Sequence, residues 1–275
     1  MNYKSIIKAG AVTAVAAVFC VGCGNPAGNS GGGKGGGNGG DPDTGNPFDG
    51  YTGTYGSVSY GGKEYKTVKI GTQTWFAENL NYDVPNNTTD VCYGEGSEVY
   101  VSDEATGGGS WKTLSAAEVQ TNCTKYGRLY NWATAMGINA SYNDSEWNGS
   151  DVKHQGVCPT GWHLPSDAEW TQLTDFVGEK AGTKLKSSTG WYAYSGVPAG
   201  TNGYGLSALP GGYGDFDGSF YSAGNSGFWW SATEGNAKEG NANYAYYRIM
   251  IYNTEDVIMH DNYKDDRLSV RCVQD

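Results

Sequence analysis

Four cysteines in the body of this chain constrain its fold more than any other feature. The chain has six cysteines in 275 residues, and two of them lie in its N-terminal region. The other four are an even number in a chain that begins like an exported protein, which is typical of a disulfide framework. Three pairings are possible. We favour Cys92–Cys123, which closes a polar insertion, and Cys158–Cys272, which ties the C-terminal strand to the body of the domain.

The first residues have the pattern of an export signal. Two lysines precede an apolar stretch from Ala9 to Phe19, which is shorter than the roughly 20 residues that span a bilayer. A small residue directly before Cys23 resembles a bacterial lipobox, although Cys20 stands where that pattern usually has leucine. We therefore expect residues 1–22 to be a lipoprotein signal peptide and Cys23 to carry the lipid anchor. The alternative is an ordinary secretory signal, which would leave Cys23 as a free thiol.

A tether follows the predicted anchor. From Asn25 to Gly50 the chain is dominated by Gly, Asn, Pro, Asp and Ser, which bury too little apolar surface to become ordered. A flexible coil of this length reaches about 25–30 Å. We expect residues 23–50 to connect a membrane-bound lipid to a folded domain over residues 51–275. Gly24 is not the aspartate that retains lipoproteins in the inner membrane of some bacteria, which favours the outer membrane of the cell envelope, facing outward or into the periplasm.

Charge and composition limit the possible partners. The formal net charge is −11, so the surface repels phosphate groups, and we expect no nucleic-acid partner. The same charge argues against binding an anionic polysaccharide through ion pairs. The chain has 21 Tyr, 9 Trp and 44 Gly, a composition that favours an aromatic-packed, loop-rich and mostly β fold.

Local patterns predict a hairpin, two capped helices and a series of strands. Residues 65–70 and 74–77 form the hairpin, and the polar segment after it is expected to be irregular. Ser115 and Ser166 each precede a Glu by three positions, the spacing of a capping box that begins a helix. The second helix is expected to present one apolar face that includes Phe176. Later strands are expected at 206–210, 228–233, 245–251 and 269–273.

Seven ordered blocks of the sequence match a known bacterial family. The blocks are GTQTWFAENL (71–80), YGRLYNWATAM (126–136), GVCPTGWHLPSDAEW (156–170), GLSALPGGY (205–213), GFWWSATE (227–234), AYYR (245–248) and LSVRCV (268–273). Together they resemble the Fibrobacter succinogenes major paralogous domain, from about Tyr65 to Cys272. The resemblance implies a secreted or cell-surface module, often a lipoprotein, and attaches no firm activity to it.

One block also resembles a second class of proteins. HLPSDAEW (163–170) is similar to the RLPTEAEW block of formylglycine-generating-enzyme-like proteins, which implies an α+β, C-type-lectin-like domain with short antiparallel strands, two or three helices and long loops. The redox cysteines of those enzymes have no counterpart here beyond Cys272, which we expect in a disulfide, so their activity is not carried over. His163 replaces the arginine of that block, and we expect it to be a packed structural residue.

The segment from Trp191 to Glu234 is the most suggestive candidate for ligand binding. Aromatic side chains on rigid loops can stack on sugar faces, and carboxylates can accept hydrogen bonds from hydroxyl groups. The alternative is that these aromatics are the core of a domain with little leucine. Of Trp229 and Trp230, strand alternation predicts one buried and at most one exposed. The candidate residues are Trp191, Tyr192, Tyr213, Asp215, Asp217, Tyr221 and Glu234.

Metal binding is not predicted. Among the four cysteines of the body, Cys92, Cys123, Cys158 and Cys272, no pair has CxxC spacing, and none of the three histidines has another histidine four positions away. Asp215 and Asp217 vaguely resemble a calcium loop, but a hairpin turn is the favoured interpretation. Asp261, Asp265 and Asp266 form a second acidic cluster, for which a solvated loop is favoured. We therefore predict no cofactor and leave calcium as an open alternative.

These features favour recognition over catalysis. The predicted folded domain, residues 51–275, has no Gly-x-Ser-x-Gly elbow and no phosphate-binding glycine motif followed by a basic residue. Asp215 and Glu234 could act as an acid–base pair only at a suitable separation. We predict a non-enzymatic cell-surface lipoprotein whose partner is a polysaccharide. A structural or protein-binding envelope lipoprotein is the alternative, and a glycan-active enzyme is a weaker one.

Overall fold

The computed structural model describes residues 45–103, 108–235 and 242–275. The predicted signal peptide, Cys23 and the tether up to residue 44 lie outside the described residues. Within the described ranges, no helix is long and apolar enough to cross a membrane. Short strands and four α-helices give an α+β domain, as the sequence predicted.

The helices and strands alternate along the chain in short pieces. The helices are α1 Ala116–Tyr126, α2 Trp132–Met136, α3 Asp167–Val177 and α4 Ala181–Leu185, with a 3-10 helix at Ala140–Asn143. The strands are β1 Gly56–Tyr60, β2 Lys63–Ile70, β3 Gln73–Phe76, β4 Val91–Cys92, β5 Glu98–Asp103, β6 Gly108–Thr113, β7 Arg128–Tyr130, β8 Trp162–His163, β9 Gly211–Gly214, β10 Phe220–Ala223, β11 Ser226–Glu234, β12 Tyr244–Ile251, β13 Ile258–Tyr263, β14 Leu268–Ser269 and β15 Val273–Gln274.

A small antiparallel sheet holds the C-terminus. Its order is β1-β2-β3-β15-β8, and β2 and β3 form the predicted hairpin. Strand β15 lies between β3 and β8, where Val273 pairs with both Trp75 and His163. The last strand of the chain is therefore an inner strand of the sheet.

A large sheet forms the rest of the domain. Its order is β4-β7-β14-β11-β9-β10-β5-β6, with β12 also paired to β11 and β13 paired to β12. Strands β5 and β6 lie in and beside the polar segment that we predicted to be irregular. The prediction was wrong there because pairing of Val99 with Phe220, and burial of both side chains, stabilises a sequence with weak strand character.

Strand β11 separates two hydrophobic clusters. Trp230 belongs to the cluster around Tyr130 and Trp132, and Trp229 belongs to the cluster that contains Trp170. Both Trp229 and Trp230 are buried, although the sequence allowed one of them to be exposed. Strand alternation sends the two rings to opposite faces, and both faces are covered by other elements.

Both capping boxes form as predicted. The side chain of Ser115 accepts a hydrogen bond from the backbone N–H of Glu118, and Ser166 does the same for Glu169 at the start of α3. Phe176 is an exception to the predicted apolar face of α3, because it is 57 % exposed and makes an edge contact with Tyr204.

The two predicted disulfides are present. Cys92 and Cys123 have Cα atoms 4.9 Å apart, and Cys158 and Cys272 have Cα atoms 5.9 Å apart. The second pair is buried in the same cluster as Trp230.

The folded domain begins before residue 51. Residues 45–50, which the sequence analysis placed in the tether, contact the domain: Phe48 packs beside Tyr55, and the amide of Asn202 donates to the carbonyl of Pro47. The predicted strand at 206–210 is reduced to one bridge between Lys186 and Ala208. There the backbone of Ser207 has a φ of 52°, which is incompatible with an extended strand.

Candidate functional site

A row of rings crosses one face of the large sheet. Each ring comes from a different strand, and consecutive rings lie on neighbouring strands. We call this set the aromatic row. Its members, from the β6 edge to β13, are Trp111, Tyr100, Tyr221, Tyr213, Phe228, Tyr247 and His260.

Strand register explains why the rings share a face. Tyr100 lies directly opposite Trp111, and Tyr221 lies directly opposite Tyr213. Side chains alternate between the two faces of a strand, so the residues before Tyr100 and Tyr221 point to the other face and are buried there. Neighbouring strands lie about 4.7–4.9 Å apart, which places the rings of adjacent strands within contact distance.

The ring contacts are continuous. Tyr213 stacks on Tyr221 with centroids 5.5 Å apart and an interplanar angle of 22°. Trp111 contacts Tyr221 at 5.5 Å, and Phe228 contacts Tyr213 at 4.9 Å. Such contacts fix the ring planes, so the row is a rigid surface.

Exposure varies along the aromatic row. Trp111 is 46 % exposed at one end, and His260 is exposed at the other. Tyr213 and Tyr221 are half-buried, and Tyr247 is buried as part of the floor. The row is therefore a partly open strip whose two ends are most accessible.

Carboxylates flank the middle of the row. Burial raises the pKa of Tyr213, and the charges of Asp215 and Asp266 raise it further. Burial likewise raises the pKa of Tyr221, with added contributions from Asp217 and Asp215. Both tyrosines therefore stay neutral at physiological pH, with the charges of nearby aspartates around them.

The hairpin between β9 and β10 positions two of these carboxylates. Asp215 and Asp217 lie in its loop, where the N–H of Ser219 donates to the Asp217 side chain over 2.9 Å. Gly218 has a φ of 92°, a conformation that favours glycine. The favoured interpretation as a hairpin turn is therefore confirmed.

Asp266 is buried beneath the row. Its carboxylate accepts hydrogen bonds from the backbone N–H of Phe216, at 3.0 Å, and from the amide of Asn262. Burial raises its pKa well above the usual range, and the nearby charge of Asp215 adds to the effect. Within the described ranges, no group of three or more His, Cys, Asp or Glu side chains is arranged to hold a metal ion.

Three predicted residues have their main contacts away from the aromatic row. The indole N–H of Trp191 donates to the carbonyl of Ala208 over 3.0 Å, so much of this ring is a structural surface. Tyr192 makes an edge contact with Tyr252. The third residue is Glu234, whose contacts differ from those of Trp191 and Tyr192.

Glu234 is engaged in holding a loop. Its carboxylate accepts hydrogen bonds from the backbone N–H groups of Trp147, at 2.9 Å, and Asn148, at 3.2 Å, and forms an ion pair with the buried ammonium of Lys264. Lys264 also donates to the carbonyls of Tyr142, Ser145 and Ala242. This geometry gives Glu234 a structural role and removes the reason to pair it with Asp215 as an acid and base.

His163 is packed as expected. Its ring is buried between the carboxylates of Glu169 and Asp275, with 2.7 Å to each. Burial lowers the pKa of His163, but the two hydrogen bonds outweigh burial and leave it raised.

The sequence analysis missed five members of the aromatic row. Tyr100, Trp111 and His260 lie in strands that the sequence analysis did not predict, while Phe228 and Tyr247 lie in predicted strands. The alternation of side chains along those strands could have placed Phe228 and Tyr247 on the same face of the sheet. The pairing order of the strands could not be read from the sequence.

Comparison with known proteins gives one match. A family model described as Fibrobacter succinogenes major domain matches residues 68–274. No curated protein matches the chain. No solved structure matches it either.

Proposed function

The chain belongs to the Fibrobacter succinogenes major domain family, and on that basis we propose that it is a cell-surface lipoprotein whose domain binds carbohydrate without converting it. The aromatic row carries this proposal. Its rings form a rigid and partly open strip in which most neighbouring rings are tilted or edge-to-face, and its exposed aromatic surface, with Trp111 at one end, can pack on the apolar faces of sugar rings. A linear polysaccharide laid along the row would contact several rings in succession.

The charge of the site selects the class of ligand. Asp215 and Asp217 flank Tyr213 and Tyr221, and ionised carboxylates only accept hydrogen bonds. Sugar hydroxyls and protonated amino groups can donate to them, whereas an acidic polysaccharide would be repelled. The ligand class that fits is therefore a neutral or amino-sugar polysaccharide.

The proposal extends to fold family and location. A C-type-lectin-like arrangement is supported by the order of elements, in which both capped helices precede strands β9 to β15, and by the Cys158–Cys272 link that ties back the C-terminal strand. A lipid on Cys23 and the Gly-rich tether would hold the domain at the cell envelope, with the outer membrane preferred.

An alternative partner is another protein. Strand β6 lies at the edge of the large sheet and is exposed along its whole length. Exposed edge strands can pair with an extended segment of a partner. This alternative predicts binding through the backbone of β6 rather than through the rings of the row.

The test compares glycan binding by ring variants. A soluble chain of residues 24–275 would be passed over insoluble and soluble glycans, including cellulose, chitin and an acidic pectin. Trp111→Ala and Tyr221→Ala each remove a ring contact worth about 1 kcal/mol, so affinity should fall by roughly fivefold to tenfold in each. Phe176→Ala is the matched control, because this ring is 57 % exposed and belongs to α3.

Each outcome has a clear meaning. Retention on a neutral or amino-sugar glycan that is weakened by both row variants and unchanged in the control supports the proposal. Binding that all three variants retain would place the site elsewhere. No retention on any glycan would reject carbohydrate binding and favour the protein-binding alternative.

A further inference from the structure

A cationic hollow lies beneath the N-terminal segment of the domain, apart from the aromatic row. Its volume is about 220 Å³, and residues 45, 47 and 48 form one wall. Its charged lining consists of Lys63, Lys125, Arg271 and Glu78. In a chain with a formal net charge of −11, this concentration of positive side chains around one hollow stands out.

Arg271 forms the floor of the hollow. It is 1 % exposed, and its guanidinium donates to the side-chain oxygen of Asn79 and to the carbonyls of Phe76, Leu206 and Ser207. A guanidinium has five N–H groups, so four are used and one on Nη2 remains. Both Asn79 and Arg271 line the hollow.

The charge of Arg271 is not neutralised by a direct partner. Within the described part of the chain, its acceptors are neutral oxygens, and no carboxylate forms an ion pair with it. Glu78, the acid that lines the hollow, is paired with Lys63 at 2.9 Å. Burial lowers the pKa of Arg271 to about 9, which reflects the cost of a buried positive charge.

The surrounding backbone is built to present the guanidinium. Ser207 holds a left-handed φ of 52°, and Asn202 stabilises it by accepting a hydrogen bond from the Ser207 N–H over 2.8 Å. This turn directs the carbonyls of Leu206 and Ser207 at Arg271. A non-glycine residue in this conformation is costly, and the hydrogen bonds of the Ser207 backbone to Asn202 and Arg271 offset part of the cost.

We propose that this hollow binds a small anion with a carboxylate or phosphate group, held by the guanidinium of Arg271 and the ammonium of Lys125. The volume suits a small molecule and excludes a polysaccharide. The hollow shares no residue with the aromatic row, so the test of anion binding does not depend on the result for carbohydrate binding.

The test is thermal stabilisation of residues 24–275 by inorganic phosphate and by acetate, each against sodium chloride at the same ionic strength. A ligand that binds only the folded state raises Tm, by roughly 3–6 °C at about ten times its Kd for a domain of this size. Arg271→Gln would disrupt four buried hydrogen bonds and is expected to destabilise the whole fold, so the informative variant is Lys125→Gln. Lys180→Gln is the control, because this lysine is paired with Glu255 and is absent from the hollow.

A saturable rise in Tm with phosphate or acetate, shifted to about tenfold higher concentration in Lys125→Gln and unchanged in Lys180→Gln, is the expected result. Equal effects of chloride and the test anions would overturn the proposal. A rise that is the same in both variants would also overturn it, because the anion would then bind elsewhere.

Discussion

The two disulfides should contribute unequally to stability, and their order can be worked out from the chain. Cys158 and Cys272 are separated by 114 residues, and Cys92 and Cys123 by 31. A cross-link lowers the entropy of the unfolded chain by an amount that grows with the logarithm of the loop. For these two loops the free energies are about 5 and about 4 kcal/mol.

Packing adds to this difference. Cys158 and Cys272 are 1 % and 0 % exposed and belong to the central cluster, so replacing both with alanine also leaves unfilled space among large side chains. Cys92 and Cys123 line an open groove at the surface of α1, where neighbouring groups and water can adjust. We therefore expect C158A/C272A to lose at least 1 kcal/mol more of the free energy of unfolding than C92A/C123A.

Equilibrium unfolding in urea, followed by tryptophan fluorescence, measures both losses. Domains of this kind have about 5–15 kcal/mol of stability in total, so C158A/C272A should unfold at a much lower urea concentration than the unmodified chain. If C92A/C123A were the less stable of the two variants, both the loop-length argument and the packing argument would be refuted.

Three further substitutions test separate contacts. His163→Gln should reduce the free energy of unfolding most at low pH. The pKa of His163 is raised in the fold, so the stability that its protonated ring provides is complete below the pKa of the unfolded chain and is lost as pH rises through the pKa of the folded chain. Denaturation at several pH values tests this, and a loss that is the same at every pH would contradict it. Ser166→Ala should cost about 1 kcal/mol by removing the cap of α3, seen as a Tm lower by roughly 2–4 °C; an unchanged Tm would contradict it. Lys264→Met should cost about 3–5 kcal/mol, because Glu234 loses its buried partner, and an unchanged urea midpoint would show that the pair is dispensable.

Features with a short-range cause could be predicted from the sequence. The capping boxes at Ser115 and Ser166 depend on residues three positions apart, and both formed where expected. The disulfide pairing has no short-range cause: the sequence allowed three pairings, and the favoured one is confirmed. For the capping boxes, the physical cause lies within the residues named.

The candidate site depended on long-range pairing and was only partly predictable. Tyr213 and Tyr221 were identified as aromatic residues close in sequence to glycines and to Asp215 and Asp217, whereas Tyr100 and Trp111 became neighbours of Tyr221 only when β5 paired in parallel with β10. Single-sequence patterns contain no information about that pairing. Trp229 and Trp230 likewise showed their alternation in the sequence but not the cover on both faces of the sheet.

The surroundings of Lys264 have a consequence for how the domain responds to its environment. Three backbone carbonyls and one carboxylate converge on its ammonium, and such oxygen atoms are also the ligands that calcium prefers. Here the positive charge is covalently part of the chain. The junction of these loops should therefore not change with the calcium concentration of the surrounding solution, and thermal melts with and without a chelator should coincide. Lys264→Ala would remove this ammonium, and the contacts between these loops would then depend on whether a dissolved cation binds to the same oxygen atoms.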